Sequence, residues 1–438
     1  MKPNLGLVFF PAFDWMISPT HPERQERLLY TRDQLVEEGI FDLPQIREYK
    51  PRLATLNDLE RVHIGVPRLS QLITPAHLVS AGSCLTAADA VMRGEVKRSF
   101  ALVRPPGHHA MRVVHGIRGF CVINIEAILV SYLRKTYGVK RIAIVDTDVH
   151  HGDGSQDIFY HDPDTLYISF HQDGRTLYPG TGFPNEAGSP GAFGTTINLP
   201  LLPGTGDAGI HRLFDGLIKP LLDDFAPEIV INSAGQDNHF SDPLASMAVT
   251  AQGYASLADK LQADIAVLEG GYSVEAALPY VNTGIILAMA ELDYSQVIEP
   301  DQSALRPQPA ACMARVEQLI SEVGQLWQNR AILSKKALAQ AQGSWSRQKN
   351  IYYDEEGINE TQIETVHYCK ECRGYLTWQS TATNTRFGNQ NAFIVSVEPT
   401  SCPHCREQAR AETLQAKSCN QWQYVLLQDQ LTGVIENI

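Results

Sequence analysis

The sequence lacks several features that would assign it to large classes of protein at once. No apolar run approaches the roughly 20 residues of a transmembrane helix. Eight cysteines in 438 residues are too few for a disulfide scaffold. Basic residues number 36 against 49 acidic ones, so the net charge is −13 and nucleic acid is not an expected partner. Internal repeats and low-complexity tracts are also missing.

The composition that remains is that of a globular protein with a large core. Hydrophobic residues make up 44% and charged residues 19% of the chain, and the length predicts two domains. The apolar stretch near the start is too short for a signal peptide and favours a first strand. We therefore expect a cytoplasmic protein that does not bind membranes.

A short β-branched stretch that ends in acids and histidines, residues 142–154, is the most informative feature. Side chains two apart on a strand point the same way, so Asp146, Asp148 and His150 can project together. Two carboxylates and an imidazole suit Zn²⁺ or a similar divalent ion with an open coordination position. A capped turn with solvated acids is the alternative interpretation.

Three other apolar stretches are also followed by residues that can bind a metal or take part in catalysis. They lead to a histidine pair, to an acid and to a tyrosine after two glycines, namely His108-His109, Asp237 and Glu269-Gly270-Gly271-Tyr272. In open parallel α/β sheets the ligand crevice lies outside the carboxyl ends of the strands. The sequence therefore predicts one site where four strands end.

These segments resemble the motif series of the zinc-dependent histone deacetylase and acetylpolyamine amidohydrolase superfamily. The matching segments, in the family's order, are His21–Arg24, Arg104–His109, Gly119–Cys121, Asp146–Gly154, Tyr178–Gly182, Ser233–Asp237 and Glu269–Tyr272. They cover roughly residues 1–330, and the Glu-Gly-Gly-Tyr form resembles the class II branch. The resemblance implies an α/β arginase–deacetylase-like fold, a mainly parallel sheet flanked by helices.

The resemblance also implies a role for each motif residue. Asp148, His150 and Asp237 would hold the catalytic zinc. His109 would act as general base and His108 as its electrostatic partner, oriented by Asp153 and Asp146 respectively, while Tyr272 would donate to the developing oxyanion. The expected substrate-binding residues are Gly119, Phe120, Tyr178 and Leu244, with Phe120 and Tyr178 as the walls of a narrow tunnel. A monovalent cation, K⁺, would bind at Asp146 and Ser169.

Three positions depart from the family pattern. Tyr178 stands where most members have Phe, and Gln236 stands where an apolar residue is usual. Leu244 occupies the position at which a polyamine-specific branch carries Glu, which favours acyl-lysine in proteins or peptides as substrate. Deacetylation of acetylpolyamines or other small N-acyl amines is the alternative, and a non-catalytic acyl-lysine or partner-binding module is a third hypothesis.

Four cysteines in two C-x-x-C pairs form the second strong signal. Cys369, Cys372, Cys402 and Cys405 suit a closed tetrahedral Zn²⁺ site that is structural. The surrounding stretch resembles a zinc ribbon, which could bind a protein partner. A redox pair or a disulfide is the alternative, and His367 or His404 could replace one sulfur.

The apolar positions between Met313 and Lys336 recur every three or four residues, which predicts a helix. We therefore expect a catalytic domain over 1–330, a helical linker over 331–361, and a zinc-ribbon-like module with its tail over 362–438. The sequence leaves the oligomeric state open.

Overall fold

Apolar stretches of the first three hundred residues form a parallel sheet in the computed structural model, which describes residues 3–12, 14–385 and 388–438. The strands of this part are β1 (Leu5–Phe10), β2 (Ile46–Tyr49), β3 (Ile64–Gly65), β4 (Arg98–Val103), β5 (Val113–Val114), β6 (Ile142–Asp146), β7 (Thr165–Gln172), β8 (Thr196–Leu201), β9 (Ile229–Ala234) and β10 (Ile265–Leu268). Eight of them form one sheet in the order β2-β1-β4-β10-β9-β6-β7-β8. All neighbouring pairs in it are parallel. Strands β3 and β5 pair separately.

Helices connect these strands, because parallel neighbours need crossover connections. They are α1 (Glu26–Glu37), α2 (Leu56–Glu60), α3 (Pro75–Met92), α4 (Ile125–Tyr137), α5 (Asp153–Phe159), α6 (Asp207–Leu213), α7 (Lys219–Phe225), α8 (Ala251–Leu261), α9 (Leu278–Met289) and α10 (Ala310–Ala341). A π-helical turn, Phe214–Ile218, joins α6 to α7. Over the described ranges, no helix has both the length and the apolar character that crossing a bilayer requires.

The core lies on both faces of the parallel sheet. Phe100 and Leu102 of β4 belong to one large apolar cluster, whereas Ala101 and Val103 belong to another. Successive strand residues point to opposite faces, so each cluster occupies one face under the helices. The predicted mainly parallel sheet flanked by helices is confirmed.

Helix α10 confirms the helix predicted from the apolar spacing of residues 313–336. Its buried residues include Val316, Leu319, Val323 and Trp327, which recur at intervals of three and four and so share one face. The Trp327 indole N–H donates to Asp224 at 2.8 Å, which fixes the helix against the end of α7.

A second sheet follows directly and forms what we call the C-terminal module, residues 344–438. Its elements are β11 (Ser344–Tyr353), β12 (Ile358–His367), β13 (Tyr375–Asn384), β14 (Gly388–Val397), α11 (Pro403–Ser418), β15 (Tyr424–Asp429) and β16 (Val434–Asn437). The six strands lie in sequential order and are antiparallel except for the parallel pair β14–β15. The module is thus a mixed sheet with one helix and is larger than a zinc ribbon.

The expectation of a helical linker over 331–361 is wrong beyond Ala341, because β11 and the start of β12 occupy that stretch. Alternate side chains of both strands are buried or half-buried, which is a period of two. Hydrophobicity alone does not reveal this alternation, because several inward residues are charged, among them Arg347, Lys349 and Glu364. Whether residues 1–330 form a separate domain stays a prediction.

The C-terminal module docks on the β3–β5 region through an apolar patch and partly buried ion pairs. Ile64, Val66 and Val113 share a cluster with module residues that include Trp378 and Ile394. Beside this patch, Arg347 Nη2 lies 2.9 Å from Asp157 Oδ1, and Arg373 Nη1 lies 3.0 Å from Asp162 Oδ1.

Candidate functional site

Three predicted metal ligands converge where neighbouring strands end. Asp148 follows β6 and Asp237 follows β9, which pair directly in the sheet. His150 Nδ1 lies 3.2 Å from an oxygen of each of these carboxylates. All three residues are buried, and their ligand atoms lie within 4.8 Å of one another. Two buried carboxylates this close together could hold a cation, which would offset the cost of burying their charges.

The two carboxylates and the imidazole also shift one another's pKa values. Burial and the neighbouring Asp148 raise the pKa of Asp237. Burial opposes a charge on His150, but Asp148 and Asp237 outweigh it and raise the pKa of His150 to about 10. A divalent cation between the two carboxylates would reduce their mutual repulsion in the same way as a charge on His150.

Gly270 explains why a glycine follows Glu269 in the predicted tyrosine motif. Its backbone N–H donates to Asp148 Oδ2 at 2.7 Å. A Cβ at position 270 would lie 2.2 Å from Asp237 Oδ2, so no larger residue fits against the carboxylates. The backbone of this loop is part of the candidate metal centre.

The two histidines before the metal centre each meet an acid, as the resemblance implies. His108 Nδ1 lies 3.2 Å from Asp146 Oδ2, and His109 Nδ1 lies 2.8 Å from Asp153 Oδ1. The ring centroids of His108 and His109 are 4.1 Å apart. With Nδ1–H donating to the carboxylate, Nε2 of a neutral His109 is left as a proton acceptor.

The pKa values of the two imidazoles are shifted in opposite directions, because the two rings have different charged neighbours. Burial and the positive charge of His108 lower the pKa of His109. Burial also disfavours charge on His108, but Asp148 and Asp146 raise the pKa of His108 well above its ordinary value. A neutral imidazole beside a charged one is the pattern that distinguishes a base from an electrostatic partner.

Tyr272 is buried close to the same carboxylates. Its backbone N–H donates to Asp242 Oδ2 at 2.7 Å, and the Arg27 guanidinium lies 4.9 Å from its ring centroid. Burial raises the pKa of the Tyr272 phenol far above its ordinary value. The hydroxyl therefore stays protonated and able to donate.

The two aromatic side chains predicted as tunnel walls lie beside this group of residues. The Phe120 ring meets the Tyr272 ring edge-on at 5.5 Å, and the Tyr178 ring lies 5.1 Å from His109 and 6.4 Å from His150. Among the described residues, the buried Tyr178 hydroxyl finds no hydrogen-bond partner. A ligand that reached it would therefore meet an unsatisfied polar group.

The structure shows the contacts of two residues that depart from the family pattern, Gln236 and Leu244. The Gln236 amide donates to Asn282, which in turn donates to Thr31 Oγ1 at 3.0 Å, so Gln236 belongs to the packing of α9 against α1. Leu244 is half-buried, and its N–H donates to Asp242, the acid that holds Tyr272. The substrate role of Leu244 stays a prediction.

The predicted monovalent-cation residues Asp146 and Ser169 are register partners on β6 and β7, and both are buried. The carboxylate of Asp146 already accepts from Tyr167 Oη at 2.7 Å and from the Asp148 N–H at 3.1 Å. Ser169 Oγ lies 2.8 Å from His171 Nδ1. Potassium at these residues stays a prediction.

Sequence reasoning missed Arg118, which connects the tunnel wall to the acid–base pair. Arg118 Nη1 donates to Asp153 at 2.6 Å, and Asp153 is the partner of His109. The guanidinium also lies 5.4 Å from the Tyr178 ring centroid. Its position directly before the Gly119-Phe120-Cys121 motif was the available signal.

Glu269 and a buried pair of arginines are further residues whose roles the sequence did not indicate. Glu269 Oε2 accepts from the N–H groups of Gly107 at 2.6 Å and His108 at 3.1 Å, which anchors the histidine loop. Glu23 binds Arg104 Nη2 at 2.6 Å and Arg27 Nη1 at 3.0 Å. The matching segment His21–Arg24 thus supplies a carboxylate that organises the site from behind.

The four module cysteines also converge. Sγ of Cys369 lies 3.9 Å from that of Cys402, and Sγ of Cys372 lies 3.5 Å from that of Cys405. A tetrahedral zinc with Zn–S bonds of about 2.3 Å separates its sulfurs by about 3.8 Å. All four are free cysteines, which argues against the disulfide alternative. His367 instead stacks on Tyr375, with ring centroids 4.3 Å apart.

Comparison with known proteins identifies the family. A model described as the histone deacetylase domain matches residues 67–287, about half of the chain. A probable deacetylase of Archaeoglobus fulgidus is 46% identical over 311 residues, which cover 65% of this chain and 85% of that protein. The chain belongs to the histone deacetylase family. Members of this family of deacetylases are hydrolases that act on amide bonds.

Other relatives of this deacetylase-family chain carry different names. Histone deacetylase 14, chloroplastic, of Arabidopsis thaliana is 42% identical over 45% of this chain, and the chain spans 49% of its length. Polyamine deacetylase HDAC10 of Mus musculus is 40% identical over 45% of this chain, and the matched part covers 31% of the length of that protein. A crystal structure of the HDA15 HD domain superposes with a TM-score of 0.66 at 28% identity, covering 77% of this chain and 99% of that one.

Proposed function

We propose that this chain is a zinc-dependent amidohydrolase that removes acyl groups from the side-chain amine of lysine in proteins. The observation that carries the proposal is the meeting of Asp148, His150 and Asp237 in one buried cluster. Two carboxylates and one imidazole fit a zinc with open coordination positions. A zinc ion bound there would polarise the acyl carbonyl and make a water molecule easier to deprotonate.

His109 and Asp153 supply the proton transfers in this proposal. The 2.8 Å contact between His109 Nδ1 and Asp153 leaves His109 Nε2 to accept a proton from the attacking water. The same nitrogen then returns the proton to the leaving amine of lysine, which becomes a poor nucleophile. His108 stays protonated beside Asp146, and its positive charge favours the negative charge that develops on the carbonyl oxygen during attack.

Tyr272 would donate its hydroxyl proton in a hydrogen bond to the oxygen that gains charge during attack. A donor held in place before the reaction costs no reorganisation at that moment. Arg27 lies over the Tyr272 ring and also donates to the backbone oxygen of Gly271 at 2.7 Å, so it fixes both the ring and the loop.

A deacetylase of acetylpolyamines is the second candidate, since one relative is named a polyamine deacetylase. Leu244 favours the lysine substrate, because a cationic polyamine would be better matched by a carboxylate at that position. The K⁺ site at Asp146 and Ser169, the structural zinc at the four cysteines and a protein partner of the C-terminal module belong to the same proposal.

The experiment that tests this function compares substrates on the metal-loaded and metal-free full chain. A panel would contain acetyl-, longer-acyl- and trifluoroacetyl-lysine peptides beside acetylated polyamines. We expect hydrolysis of acyl-lysine peptides that is lost on chelation and restored by zinc. Faster turnover of acetylpolyamines would favour the second candidate, and no turnover of any amide in the zinc-loaded protein would contradict both.

The metal ligands are tested with matched aspartate variants. Asp148→Ala and Asp237→Ala should each abolish hydrolysis and lower the zinc content by about one ion per chain. Asp33→Ala, an exposed aspartate on α1, is the control and should keep both.

A further inference from the structure

An acidic turn of the C-terminal module reaches the wall of the candidate tunnel. The turn joins β11 to β12 and consists of Asp354, Glu355, Glu356 and Gly357. Asp354 Oδ1 accepts from the Gly119 N–H at 2.9 Å. Glu356 Oε2 accepts from the Ile117 N–H at 2.9 Å. Two carboxylates of the module thus hold the segment that carries Phe120.

The third carboxylate of this acidic turn contacts His21, whose ring packs on Phe120. His21 Nε2 lies 3.2 Å from Glu355 Oε1, while His21 Nδ1 accepts from the Glu23 N–H at 3.0 Å. In a neutral ring the hydrogen therefore sits on Nε2 and is donated to Glu355. The His21 ring meets Phe120 edge-on, with centroids 4.3 Å apart.

The backbone of the segment held in this way has an uncommon conformation. Gly119 and Phe120 both have positive φ, at 51° and 70°. The backbone groups of Arg118 and Cys121 bond to each other on either side, at 3.0 and 2.9 Å. A two-residue turn with positive φ at both central positions favours Asn and Gly, and a bulky residue such as Phe is rarely found there. Such a conformation persists only where its surroundings hold it.

This turn also packs directly on the acid–base pair. A Cβ at Gly119 would lie 2.3 Å from His109 Cδ2, so the backbone at position 119 rests against the His109 ring. Arg118, the residue before it, donates to Asp153. A shift of the turn would therefore move a wall of the tunnel and loosen the partner of His109.

We propose that Asp354 and Glu356, assisted by Glu355, are positioning residues that hold the Gly119–Phe120 turn in the conformation that grips the substrate. The inference rests on the proposed function, and it makes the C-terminal module part of the active-site rim. Acceptor oxygens, and not negative charge, are what the two N–H groups require. Loss of the acceptors should weaken substrate binding more than the chemical step.

The test compares substitutions that remove the acceptor with substitutions that remove only the charge. In the full chain, Asp354→Ala and Glu356→Ala should raise KM for a short acyl-lysine peptide about 10-fold, with kcat changed less. Asp354→Asn and Glu356→Gln keep an acceptor oxygen and should return KM to within about 2-fold of the wild type. Equal losses in the Ala and the Asn or Gln variants would mean that the charge attracts the substrate, which overturns the proposal.

Two controls separate positioning from a general loosening of the module. Arg373→Gln removes a docking contact with Asp162 and Asp164 at a different part of the interface. Glu407→Ala removes an exposed carboxylate on α11. Both should leave KM unchanged. A rise in KM for Arg373→Gln equal to that of the Ala variants would overturn the proposal, because any loosened docking would then suffice.

Hydrogen exchange gives a readout that does not depend on turnover. In Asp354→Ala, exchange of a peptide covering residues 115–121 should speed up at least 10-fold, while peptides of α11 stay unchanged. Exchange as slow as in the wild type would overturn the proposal even if activity fell. A wild-type chain that hydrolyses no amide would contradict the proposed function alone, since the exchange result would still report whether Asp354 holds the turn.

Discussion

Arg118 and Asp153 form a buried ion pair in which Arg118 Nη1 lies 2.6 Å from the carboxylate. The carboxylate of Asp153 also receives His109 Nδ1 at 2.8 Å, so one acid joins the wall turn to the candidate base. A second partner for the orienting acid restricts the freedom of the imidazole, which is the usual function of groups behind a catalytic side chain.

Arg118→Gln is expected to lower kcat/KM for an acyl-lysine peptide by about 10- to 100-fold, the usual cost of losing such a supporting contact. Burial, His108 and Arg118 all lower the pKa of His109, so removing the guanidinium raises it. The acidic limb of the pH profile should then move to higher pH, because a base must be deprotonated to act. Arg93→Gln, at the exposed end of α3, is the control. An unmoved acidic limb would contradict this account.

Tyr272→Phe removes one hydroxyl and keeps the ring packed between Arg27 and Phe120. We expect kcat to fall by about 10²–10³, the usual loss for one oxyanion donor, with little change in KM. Steady-state kinetics on a short acyl-lysine peptide would measure the split. Tyr352→Phe, an exposed tyrosine of β11, should change neither constant. A near-normal kcat for Tyr272→Phe would show that the hydroxyl is only structural.

Replacing Cys369 and Cys372 with Ser should release about one zinc per chain and destabilise the cysteine end of the C-terminal module. Strand β12 has 10 residues and spans about 33 Å, so the acidic turn lies far from the cysteines at the opposite end of the strand. Hydrolysis of a short peptide should therefore fall less than in Asp354→Ala.

Metal analysis and peptide kinetics would measure the outcome for this cysteine pair, with the exposed Cys419→Ser as control. An unchanged zinc content would refute the structural site. A loss of activity larger than that of Asp354→Ala would show that the cysteine cluster and the acidic turn are coupled.

Glu360 lies buried in the module and accepts from Ser380 Oγ at 2.6 Å and from Tyr353 Oη at 2.9 Å. Burial opposes its charge, but His115 and the hydrogen bonds lower its pKa from 4.5 to about 2. A depressed pKa stabilises the fold above pH 4.5, and this stability is lost as pH falls towards 2. The lowered pKa of Glu360 contributes about 3 kcal/mol to the free energy of unfolding.

Glu360→Gln should therefore lower the free energy of unfolding by about 3 kcal/mol at pH 7, with a smaller difference from the wild type below pH 4.5. Urea denaturation at pH 7 and pH 4 would measure both values, with Glu407→Gln as the exposed control. A difference that does not depend on pH would rule out titration of Glu360 as its origin.

The sequence predicted those parts of the site in which candidate metal-ligating residues come directly after an apolar strand. Asp148 and Asp237 were identifiable because acids at the ends of buried strands have no packing purpose, and parallel strands bring their carboxyl ends to one edge. Helix α10 was identifiable because its apolar residues repeat with the period of a helix.

The contacts that the sequence did not predict join residues far apart in the chain. Gly119 and Asp354 are separated by 235 positions, and no local pattern specifies that pair. Strands β11 and β12 were missed because inward Arg347 and Glu364 are charged and paired, which hides the alternation that a strand normally shows. The sequence predicted a catalytic domain and a zinc-ribbon-like module as separate parts, and it gave no sign of the contacts that join them.

The shared interface has a consequence for how the chain unfolds. Trp378 and Ile394 of the module pack on Ile64 and Val113, and Arg347 is paired with Asp157 across the same boundary. If either part opened alone, the other would expose an apolar face and keep charges without partners. The two sheets should therefore melt cooperatively in one calorimetric transition, with calorimetric and van't Hoff enthalpies that agree.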